Sequence, residues 1–369
     1  MTLYVDCLIF EYQKAPGYQE YLFSLLDYFS LHRAEFKYDD IVLIIRKSQE
    51  SHFLKYRDVF SIVTFEINGI LSQIVVQGTM EILLRVKATD VMLFTYNYSS
   101  LIKRCKHILV VHDLQYLHFP ANFSFFRRIQ RKIMVPRSAH LADRIIAISE
   151  CTRNDIIDSY KAENGKVVTI YNYCDFQKFE EKQGENSNKI AVLLDSGVPY
   201  YLCVSSLAPH KNIGRLLKAF SSFLQTNSGY YLIIVSSRLG LGYDELDIIR
   251  NSPCPGNIIF TEYIDAPLLA ELYRNCIAFI LPTLFEGFGI PIVEAEHFGA
   301  KLLLSDIMIC HEIAGDNAEY FDPKNIDDIK RCLCLVASNK NQIKKMSYSL
   351  EKFSSENTSL KYIKLLNNI

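Results

Sequence analysis

The sequence predicts an α/β protein with two doubly wound, Rossmann-like domains that face a cleft. The 369 residues exceed what one hydrophobic core usually organises. Short apolar runs rich in β-branched and aromatic residues alternate with helical stretches, which indicates parallel strands covered by helices on both faces. This alternation occurs twice, on either side of a polar segment, so we expect each half to form its own sheet.

The candidate strands divide into two sets. Those of the first half are LYVDCLIF, DIVLIIRK, VMLFTYN, HILVVHD, RIIAIS and KVVTIYN. Those of the second half are YYLCVSS, YYLIIVSS, NIIFTEYI, CIAFILPT and KLLLSD. Between them EEKQGENSNK is polar, as exposed connections are. We therefore predict a first domain over residues 1–180, a linker over 181–197, a second domain over 198–345, and a C-terminal helix in 346–369 that packs back on the first domain.

Composition excludes several classes of protein. A formal net charge of −1 argues against a nucleic-acid partner. No apolar run approaches the roughly 18 residues that a bilayer span requires, and the strand-like start MTLYVDCLIFEYQK lacks the basic lead of a secretory signal. The ten cysteines are scattered without a Cys-x-x-Cys pair, which is typical of reduced thiols. These features predict a cytoplasmic protein.

The stretch LPTLFEGFGIPIVEAEHFGA carries the clearest chemistry. It predicts a buried strand, then a loop with Glu286, then a helix with Pro291 in its first turn and Glu294 one turn further. The backbone amides of residues 287–290 would lie at the positive end of that helix, where anions bind. Backbone amides can bind phosphate oxygens, and carboxylates can accept hydrogen bonds from hydroxyls. The two together suit a nucleotide sugar, which has both groups. The alternative is that the glutamates face solvent and the glycines only close a turn.

A longer segment, YRNCIAFILPTLFEGFGIPIVEAEHFGA, resembles the signature of the retaining glycosyltransferases of family four (glycosyl transferases group one), which have the GT-B fold. That family has two glutamates separated by seven residues, as Glu286 and Glu294 are. Further segments resemble the family in the same order along nearly the whole chain: VVHDLQYLHFP, LADRIIAISECTRNDI, VSSLAPHKNIGRLLKAF and HEIAGDNAEYFDP. The resemblance therefore implies the GT-B fold for both domains.

The resemblance also implies residue roles. Glu286, His112 and Lys211 would be catalytic: Lys211 corresponds to the lysine that grips the donor diphosphate, and His112 to the histidine that approaches the transferred sugar. The residues that would bind the donor are Glu294, Gly287, Phe288, Gly289, Ile290, Ser206, His210, Tyr263, Ile264 and Gly17, the last in a glycine loop before the first helix.

Besides Tyr173, which stands where a glycine is usual, three positions depart from the family pattern. Ser205 stands where a glycine is usual, His210 where an arginine is usual, and Glu262 where a glycine is usual. These departures keep open an alternative in which the chain is a non-catalytic, glycosyltransferase-like binding subunit. A second alternative is an NAD-dependent oxidoreductase. That class requires Gly-x-Gly-x-x-Gly after the first strand, and the single glycine of LIFEYQKAPGYQ disfavours it.

No metal or other cofactor is expected. The sequence has no Asp-x-Asp pair and no His or Cys cluster with ligand spacing. The resemblance implies that a lysine and helix amides replace the charge of a metal. It also implies a retaining hexosyltransferase that moves a hexose from a nucleotide sugar to a glycan or polyprenol-linked acceptor, in lipopolysaccharide O-antigen or capsule synthesis. Mannose from GDP-mannose is the preferred donor, because the chain resembles bacterial polysaccharide mannosyltransferases; a UDP-sugar is the alternative.

One segment predicts a peripheral membrane contact. Phe123–Arg137, FSFFRRIQRKIMVPR, combines three phenylalanines with the cations Arg127, Arg128, Arg131 and Lys132. A basic amphipathic helix can lie on an anionic membrane surface, here the inner face of the cytoplasmic membrane. The alternative is a structural helix with a solvated basic face.

Overall fold

The computed structural model describes residues 1–12, 16–180, 194, 196–236, 240–262, 264–338 and 350–369. Most of the predicted linker, and Tyr263 from the predicted donor site, therefore lie outside the described residues. The chain divides into two compact units. Unit 1 comprises Met1–Asp175 and Glu351–Ile369, and unit 2 comprises Phe176–Leu350.

Unit 1 contains a parallel sheet of seven strands in the order β3-β2-β1-β4-β5-β6-β7. Its strands are β1 Thr2–Asp6, β2 Asp40–Arg46, β3 Ser61–Phe65, β4 Val91–Phe94, β5 Lys106–Val111, β6 Arg144–Ala147 and β7 Val167–Thr169. In β1, an interior strand, Val5 pairs with Leu43 on one side and Leu93 on the other. All three side chains are fully buried, as expected of strands covered on both faces.

The helices of unit 1 connect these strands in sequence. They are α1 Pro16–Leu31, α2 Ile70–Leu83, α3 Gln115–His118, α4 Phe125–Leu141 and α5 Glu150–Tyr160. The connections β3–α2–β4 and β5–α4–β6 run across the sheet in the same direction, so right-handed crossovers place α2 and α4 on one face. The connection β1–α1–β2 runs in the opposite direction and places α1 on the other face.

Gly17 does not lie in the predicted glycine loop. It lies in the first turn of α1, directly after Pro16. A proline fits the first turn because its missing N–H has no helical partner there, so the helix begins before the glycine. Gly17 does not have a positive φ, and a Cβ at this position would meet no atom within 4 Å. Neither backbone conformation nor space requires a glycine here.

Unit 2 contains a parallel sheet of six strands in the order β10-β9-β8-β11-β12-β13. Its strands are β8 Tyr200–Val204, β9 Tyr231–Val235, β10 Ile258–Phe260, β11 Ala278–Leu281, β12 Leu302–Ser305 and β13 Ala318–Phe321. Its helices are α6 Ile213–Leu224, α7 Tyr243–Arg250, α8 Ala266–Asn275, α9 Ile290–His297, α10 Met308–Ala314 and α11 Ile326–Ser338. The prediction of two doubly wound α/β units is confirmed.

Each sheet has a point where the strand order reverses, between β1 and β4 in unit 1 and between β8 and β11 in unit 2. Ligands of doubly wound sheets bind outside the carboxyl ends of the strands at such a switch point. In unit 2 the loops after β8 and β11 therefore delimit the expected binding position. Among the described residues, no helix combines the length and apolarity that a membrane span requires.

The C-terminal helix, α12 Ser355–Asn367, belongs to unit 1 and packs on α1. Tyr362 on α12 is fully buried, and its hydroxyl shares a hydrogen bond of 2.7 Å with that of Tyr21 on α1. The hydroxyl of Tyr38 donates to the carbonyl oxygen of Leu366 at 2.5 Å. These contacts connect segments more than 300 residues apart within one core.

Replacing Tyr362 by alanine should destabilise unit 1. Tyr362→Ala leaves a cavity between α12 and α1, and truncation of a buried aromatic side chain costs about 3–5 kcal/mol. The free energy of unfolding, measured by urea titration with far-UV circular dichroism, should fall accordingly. Leu31→Ala is the control: Leu31 is 82% exposed at the end of α1, so its loss should change the free energy by less than about 0.5 kcal/mol. Equal effects would contradict the structural role of Tyr362.

Candidate functional site

The buried side-chain amide of Asn212 connects the loops around the switch point of unit 2 by hydrogen bonds. Asn212 follows β8, and its Nδ2 donates to the carbonyl oxygens of Pro282 at 2.9 Å and Pro323 at 2.7 Å. Pro282 follows β11 and Pro323 follows β13. Asn212 has φ +62°, a left-handed conformation that asparagine tolerates better than most residues. Its side chain therefore fixes three strand-end loops relative to one another.

Beside Asn212, two of the predicted catalytic residues form an ion pair. Lys211 ends the short 3₁₀ turn Pro209–Lys211. Its Nζ lies 2.6 Å from Oε1 and 2.8 Å from Oε2 of Glu286. The two side chains are 19% and 12% exposed, so the pairing compensates much of the cost of their partial burial. The structure thus brings together a cation and a carboxylate from opposite sides of the switch point.

The loop after β11 is held in shape by its own backbone. Buried Thr283 donates from Oγ1 to the carbonyl oxygen of Phe285 at 2.9 Å. The loop ends at Gly289, whose φ is +97°, and a Cβ there would lie 3.0 Å from Cδ1 of Ile292. The positive φ favours glycine at this position, and a Cβ would also require the side chain of Ile292 to shift. Helix α9 follows with Pro291 in its first turn, as predicted, so the amides of residues 287–290 lie at the helix N-terminus beside the ion pair.

Glu294 lies one turn into α9 and is 4% exposed. Its Oε2 accepts a hydrogen bond of 2.9 Å from the hydroxyl of Tyr273 on α8. Its Oε1 accepts one of 2.8 Å from Nζ of Lys178, in the 3₁₀ turn Gln177–Phe179. A buried carboxylate is stable when it is hydrogen-bonded and paired with a cation, and these two side chains provide both.

Sequence analysis did not select Tyr273 or Lys178. Tyr273 opens the stretch that resembles the family signature, so a signal for it was present. Lys178 lies in no recognisable motif. Its turn is attached to the C-terminal end of α9: the ring of Phe176 stacks on His297 at 3.8 Å, and the ring of Phe179 meets Phe298 edge-on at 4.9 Å. These contacts hold Lys178 beside Glu294.

The other described residues of the predicted donor site in unit 2 lie in the loops after β8, β10 and β11. His210 is buried in the turn before Lys211, and its carbonyl oxygen accepts from the amide of Leu284 at 2.7 Å. Ser206 is exposed in the loop after β8, Phe288 is buried in the loop after β11, and Ile264 is buried after β10.

The departure at Glu262 has a conformational meaning. Glu262 has φ +59°, in the left-handed region, where a side chain with a Cβ costs about 1–2 kcal/mol relative to the usual helical conformation. A glycine would adopt this conformation without that cost. The loop after β10 therefore keeps the backbone form that suits the glycine usual in the family, although the residue differs.

His112 follows β5 in unit 1. Its Nε2 donates to the carbonyl oxygen of Thr95 at 2.9 Å, and its amide donates to Oδ1 of Asn97 at 2.8 Å. The rings of Tyr21 and Tyr96 lie 4.7 and 5.5 Å from the imidazole. Burial lowers the pKa of His112 below its ordinary value of 6.5, so the imidazole is neutral at pH 7. With the proton on Nε2, Nδ1 is a hydrogen-bond acceptor.

The switch point of unit 1 also contains a buried carboxyl group. Asp6 ends β1, and its Oδ1 accepts from the amide of Leu8 at 2.9 Å. Burial raises the pKa of Asp6 to about 7, although that hydrogen bond and nearby Arg46 act in the opposite direction. Thr95 Oγ1 donates to the carbonyl oxygen of Asp6 at 2.5 Å, which joins the ends of β1 and β4.

One group in unit 1 has the residue types of a metal site. The ligand atoms of Glu81, Cys105 and His107 lie within 4.8 Å of one another, and all three residues are buried. Glu81 already accepts hydrogen bonds from Nε2 of His107 at 2.7 Å and from the amide of Arg104 at 2.6 Å. This arrangement connects α2 to β5. The expectation that the reaction needs no metal stays a prediction.

Two doubly wound parallel sheets, with a lysine–glutamate pair at the switch point of the second, define the protein as one of the GT-B class. Two family models match the sequence: "Glycosyl transferases group 1" over residues 185–353 and "Glycosyltransferase Family 4" over residues 82–178. The chain belongs to the family-four (group 1) glycosyltransferases, and the resemblance found in the sequence is confirmed.

Curated relatives include enzymes of surface polysaccharide synthesis. The chain is 26% identical over 216 residues to the O-antigen chain mannosyltransferase RfbU of Salmonella typhimurium, covering 58% of this chain and 56% of that protein. It is 30% identical over 238 residues to the serotype-specific mannosyltransferase WbdA of Escherichia coli, covering 61% of this chain and 29% of that protein. The matches thus span about half, or less, of the length of these relatives.

Solved structures show the same fold over the whole chain. A sucrose-phosphate synthase from Thermosynechococcus elongatus superposes with a TM-score of 0.72 at 13% identity, covering 100% of this chain and 98% of that one. HepE from Anabaena, in complex with UDP and glucose, superposes with a TM-score of 0.72 at 15% identity, covering 100% of both chains. At these identities the likeness establishes the fold alone.

Removing Lys178 should destabilise unit 2 through Glu294. Lys178→Met takes away a charge-assisted hydrogen bond from a buried carboxylate, which costs about 1.5–3 kcal/mol. A double-mutant cycle with Glu294→Gln, measured by urea unfolding, should give a coupling energy of similar size. Lys324→Met, at an exposed lysine of the same unit, is the control. A coupling energy near zero would show that the Lys178–Glu294 contact contributes nothing.

Asp6 should make unit 1 less stable as pH rises. Its folded pKa of about 7 exceeds the ordinary 3.8, so between these values the unfolded chain releases a proton that the folded chain retains. The free energy of unfolding should therefore fall between pH 5 and pH 8, by up to about 3 kcal/mol. Asp6→Asn should remove this fall. Identical pH profiles for the wild type and the variant in urea titrations would contradict the raised pKa.

Proposed function

We propose that the chain is a hexosyltransferase that uses a nucleotide sugar as donor and a glycan hydroxyl as acceptor. The observation that supports this most directly is the ion pair of Lys211 with Glu286, located beside the N-terminus of the helix that carries Glu294. A cation, the N-terminal amides of a helix and two carboxylates at one switch point match a ligand with a diphosphate and several hydroxyls.

In this proposal the donor diphosphate competes with Glu286 for Lys211. The Lys211 ammonium and the amides of residues 287–290 would bind phosphate oxygens, since the ammonium is a full positive charge and amides at a helix N-terminus carry partial positive charge. Glu286 would then accept hydrogen bonds from the hydroxyls of the transferred sugar. The pair seen in the structure keeps both groups in position until the donor replaces one of the partners.

Glu294 would hold the ribose hydroxyls. An ionised carboxylate offers about four lone-pair positions, and Tyr273 and Lys178 each occupy one. In the proposal, an oxygen of Glu294 accepts a ribose hydroxyl while Tyr273 and Lys178 keep the carboxylate oriented. This distinguishes Glu294, which is preorganised, from Glu286, whose ion pair must exchange.

In the reaction, the sugar–phosphate bond breaks with cation-like character at the reacting carbon. The oxygen of the acceptor hydroxyl forms the new bond to that carbon, and its proton passes to the leaving diphosphate. The leaving diphosphate would be stabilised by Lys211 and the helix amides, and the developing positive charge by Glu286. Neutral His112, with Nδ1 as acceptor, would contact a sugar hydroxyl. Retention of configuration and independence of metal ions are part of the proposal and rest on the family resemblance.

The donor is proposed to be GDP-mannose, supported by the mannosyltransferase names of RfbU and WbdA. HepE, which binds UDP and glucose, keeps a UDP-sugar as the alternative. The proposed acceptor is a glycan or polyprenol-linked oligosaccharide of O-antigen or capsule synthesis. The proposed location is the cytoplasm, at the inner face of the cytoplasmic membrane, with a contact through Phe123–Arg137.

The two glutamates provide the test. Glu294→Gln should weaken binding of the free nucleoside diphosphate about ten- to a hundredfold, the effect of losing one hydrogen bond to a charged acceptor. Glu286→Gln should leave that affinity nearly unchanged, because no sugar is present, and should lower the turnover number strongly. Titration calorimetry with GDP and UDP, together with transfer rates from GDP-mannose and UDP-glucose, measures both effects.

The control is Glu163→Gln, at an exposed glutamate that precedes β7 in unit 1, which should change neither quantity. If Glu286→Gln keeps normal turnover, or if both site variants weaken the free nucleotide equally, the division of roles is wrong. If the wild type binds the nucleotide but neither transfers nor hydrolyses any donor sugar, the chain is a non-catalytic binding subunit.

A further inference from the structure

The largest exposed apolar side chains of unit 1 concentrate on two helices. Leu71 on α2 is 80% exposed and Phe126 on α4 is 78% exposed. The full set on α2, α4 and the segment between them is Leu71, Val75, Ile82, Leu83, Ile102, Phe125, Phe126, Ile129 and Ile133. Single exposed apolar residues are ordinary on protein surfaces, but a group of this size on neighbouring elements marks an interaction surface.

The two helices belong to one continuous face. Both lie on the same side of the sheet, and Met80 of α2 and Met134 of α4 contribute to the same core. The segment that starts at Leu101 lies between them: a Cβ at Gly78 on α2 would be 3.0 Å from Leu101 Cδ1, and the guanidinium of Arg137 on α4 donates to the carbonyl oxygen of Leu101. We call α2, α4 and residues 101–106 the α2–α4 face.

The exposed charge of this face is predominantly positive, although half-buried Asp143, directly after α4, pairs with Lys103 at 2.8 Å. Residues 67–142 contain 10 Lys and Arg against 3 Asp and Glu. The three acids, Glu81, Asp90 and Asp113, are buried or half-buried. The exposed cations are Arg85, Lys87, Lys103, Arg104, Lys106, Arg127, Lys132 and Arg137. A chain with a net charge of −1 thus carries a strongly cationic region around its exposed apolar side chains.

We propose that the α2–α4 face docks on the surface of an anionic lipid bilayer, with α2 as an essential half of the contact. Apolar side chains flanked by lysine and arginine are the composition of helices that lie at a membrane interface. A protein partner fits less well, because the cores of protein interfaces are depleted of charged residues. This inference deepens the proposed function. It depends on that function in one respect, the proposal that the acceptor is linked to a lipid.

The structure also changes which residues of the predicted membrane segment, Phe123–Arg137, are available for this contact. Phe123 is half-buried and Arg131 lies over its ring at 4.8 Å. Arg131 also donates to the hydroxyl of Tyr96 at 3.4 Å. Both side chains therefore serve the packing of unit 1. The apolar contact from α4 comes instead from Phe125, Phe126, Ile129 and Ile133. Helix α2 adds a second apolar stripe, which sequence analysis did not select.

Co-sedimentation with vesicles tests the proposal. The wild type should bind vesicles rich in phosphatidylglycerol and should not bind vesicles of phosphatidylcholine alone. Leu71→Ser with Val75→Ser, on α2, should lower the partition coefficient about tenfold or more, because two apolar side chains no longer enter the interface. Phe125→Ser with Phe126→Ser, on α4, should have an effect of similar size.

The matched control is Leu31→Ser, at an exposed leucine of α1 on the opposite face of the sheet, which should bind as the wild type does. Far-UV circular dichroism verifies that each variant is folded. If the α2 variant binds as the wild type does while the α4 variant does not, α2 has no part in docking and the proposal fails. If the wild type does not bind anionic vesicles, or binds both vesicle types equally, it also fails.

The same samples separate this inference from the proposed function. Vesicle binding needs no donor, and calorimetry with GDP and UDP needs no membrane. Variants of the α2–α4 face should keep the nucleotide affinity of the wild type. Wild-type protein that binds vesicles and no nucleotide would overturn the proposed function and leave the docking surface standing. Wild-type protein that binds nucleotide but not anionic vesicles would overturn the docking proposal alone.

Discussion

The site in unit 2 depends on one buried side-chain amide, that of Asn212. Its two hydrogen bonds to the carbonyl oxygens of Pro282 and Pro323 join loops that follow three different strands. Because Lys211 precedes Asn212 and Glu286 lies four residues after Pro282, the same amide sets how closely the ion pair can form. Loops are usually the more mobile part of a doubly wound sheet; here a scaffold contact makes them a fixed framework for opposite charges.

The two units share a connectivity but use their switch points differently. In unit 2 the switch point is lined by the ion pair of Lys211 and Glu286, and the N-terminal amides of helix α9 lie beside it. In unit 1 the corresponding region is largely aromatic, with His112 held neutral between tyrosine rings and Asp6 partly protonated near pH 7. A charged position suits a phosphorylated ligand, whereas tyrosine rings and a neutral imidazole suit sugar hydroxyls and faces.

Much of the fold and part of the site were predictable from sequence. Apolar strands in a βα alternation determined the two sheets, and the strand–loop–helix setting of Glu286 and Glu294 placed both carboxylates correctly, because these signals are local. Lys178 was missed because its contact with Glu294 depends on how a short turn packs against α9. Helix periodicity predicted an amphipathic α4, but only the packed core decides that Phe123 turns inward while Phe126 remains exposed. Gly17 was assigned to a loop because a glycine alone does not show where a helix begins.

The division of the chain has a consequence for synthesis on the ribosome. Unit 2 is formed by one uninterrupted segment, whereas unit 1 needs both Met1–Asp175 and Glu351–Ile369. Domains fold as units while the chain emerges, with earlier segments usually folding first. In this protein the sheet of unit 1 emerges first, but unit 1 is completed last. The surface of α1 that packs on α12 stays uncovered until Tyr362 and the rest of α12 have been synthesised. The nascent chain must therefore protect an incomplete core, rich in tyrosine and phenylalanine, throughout the synthesis of unit 2. Chaperone dependence during translation should consequently be a property of unit 1, although unit 1 is the first part of the protein to be made.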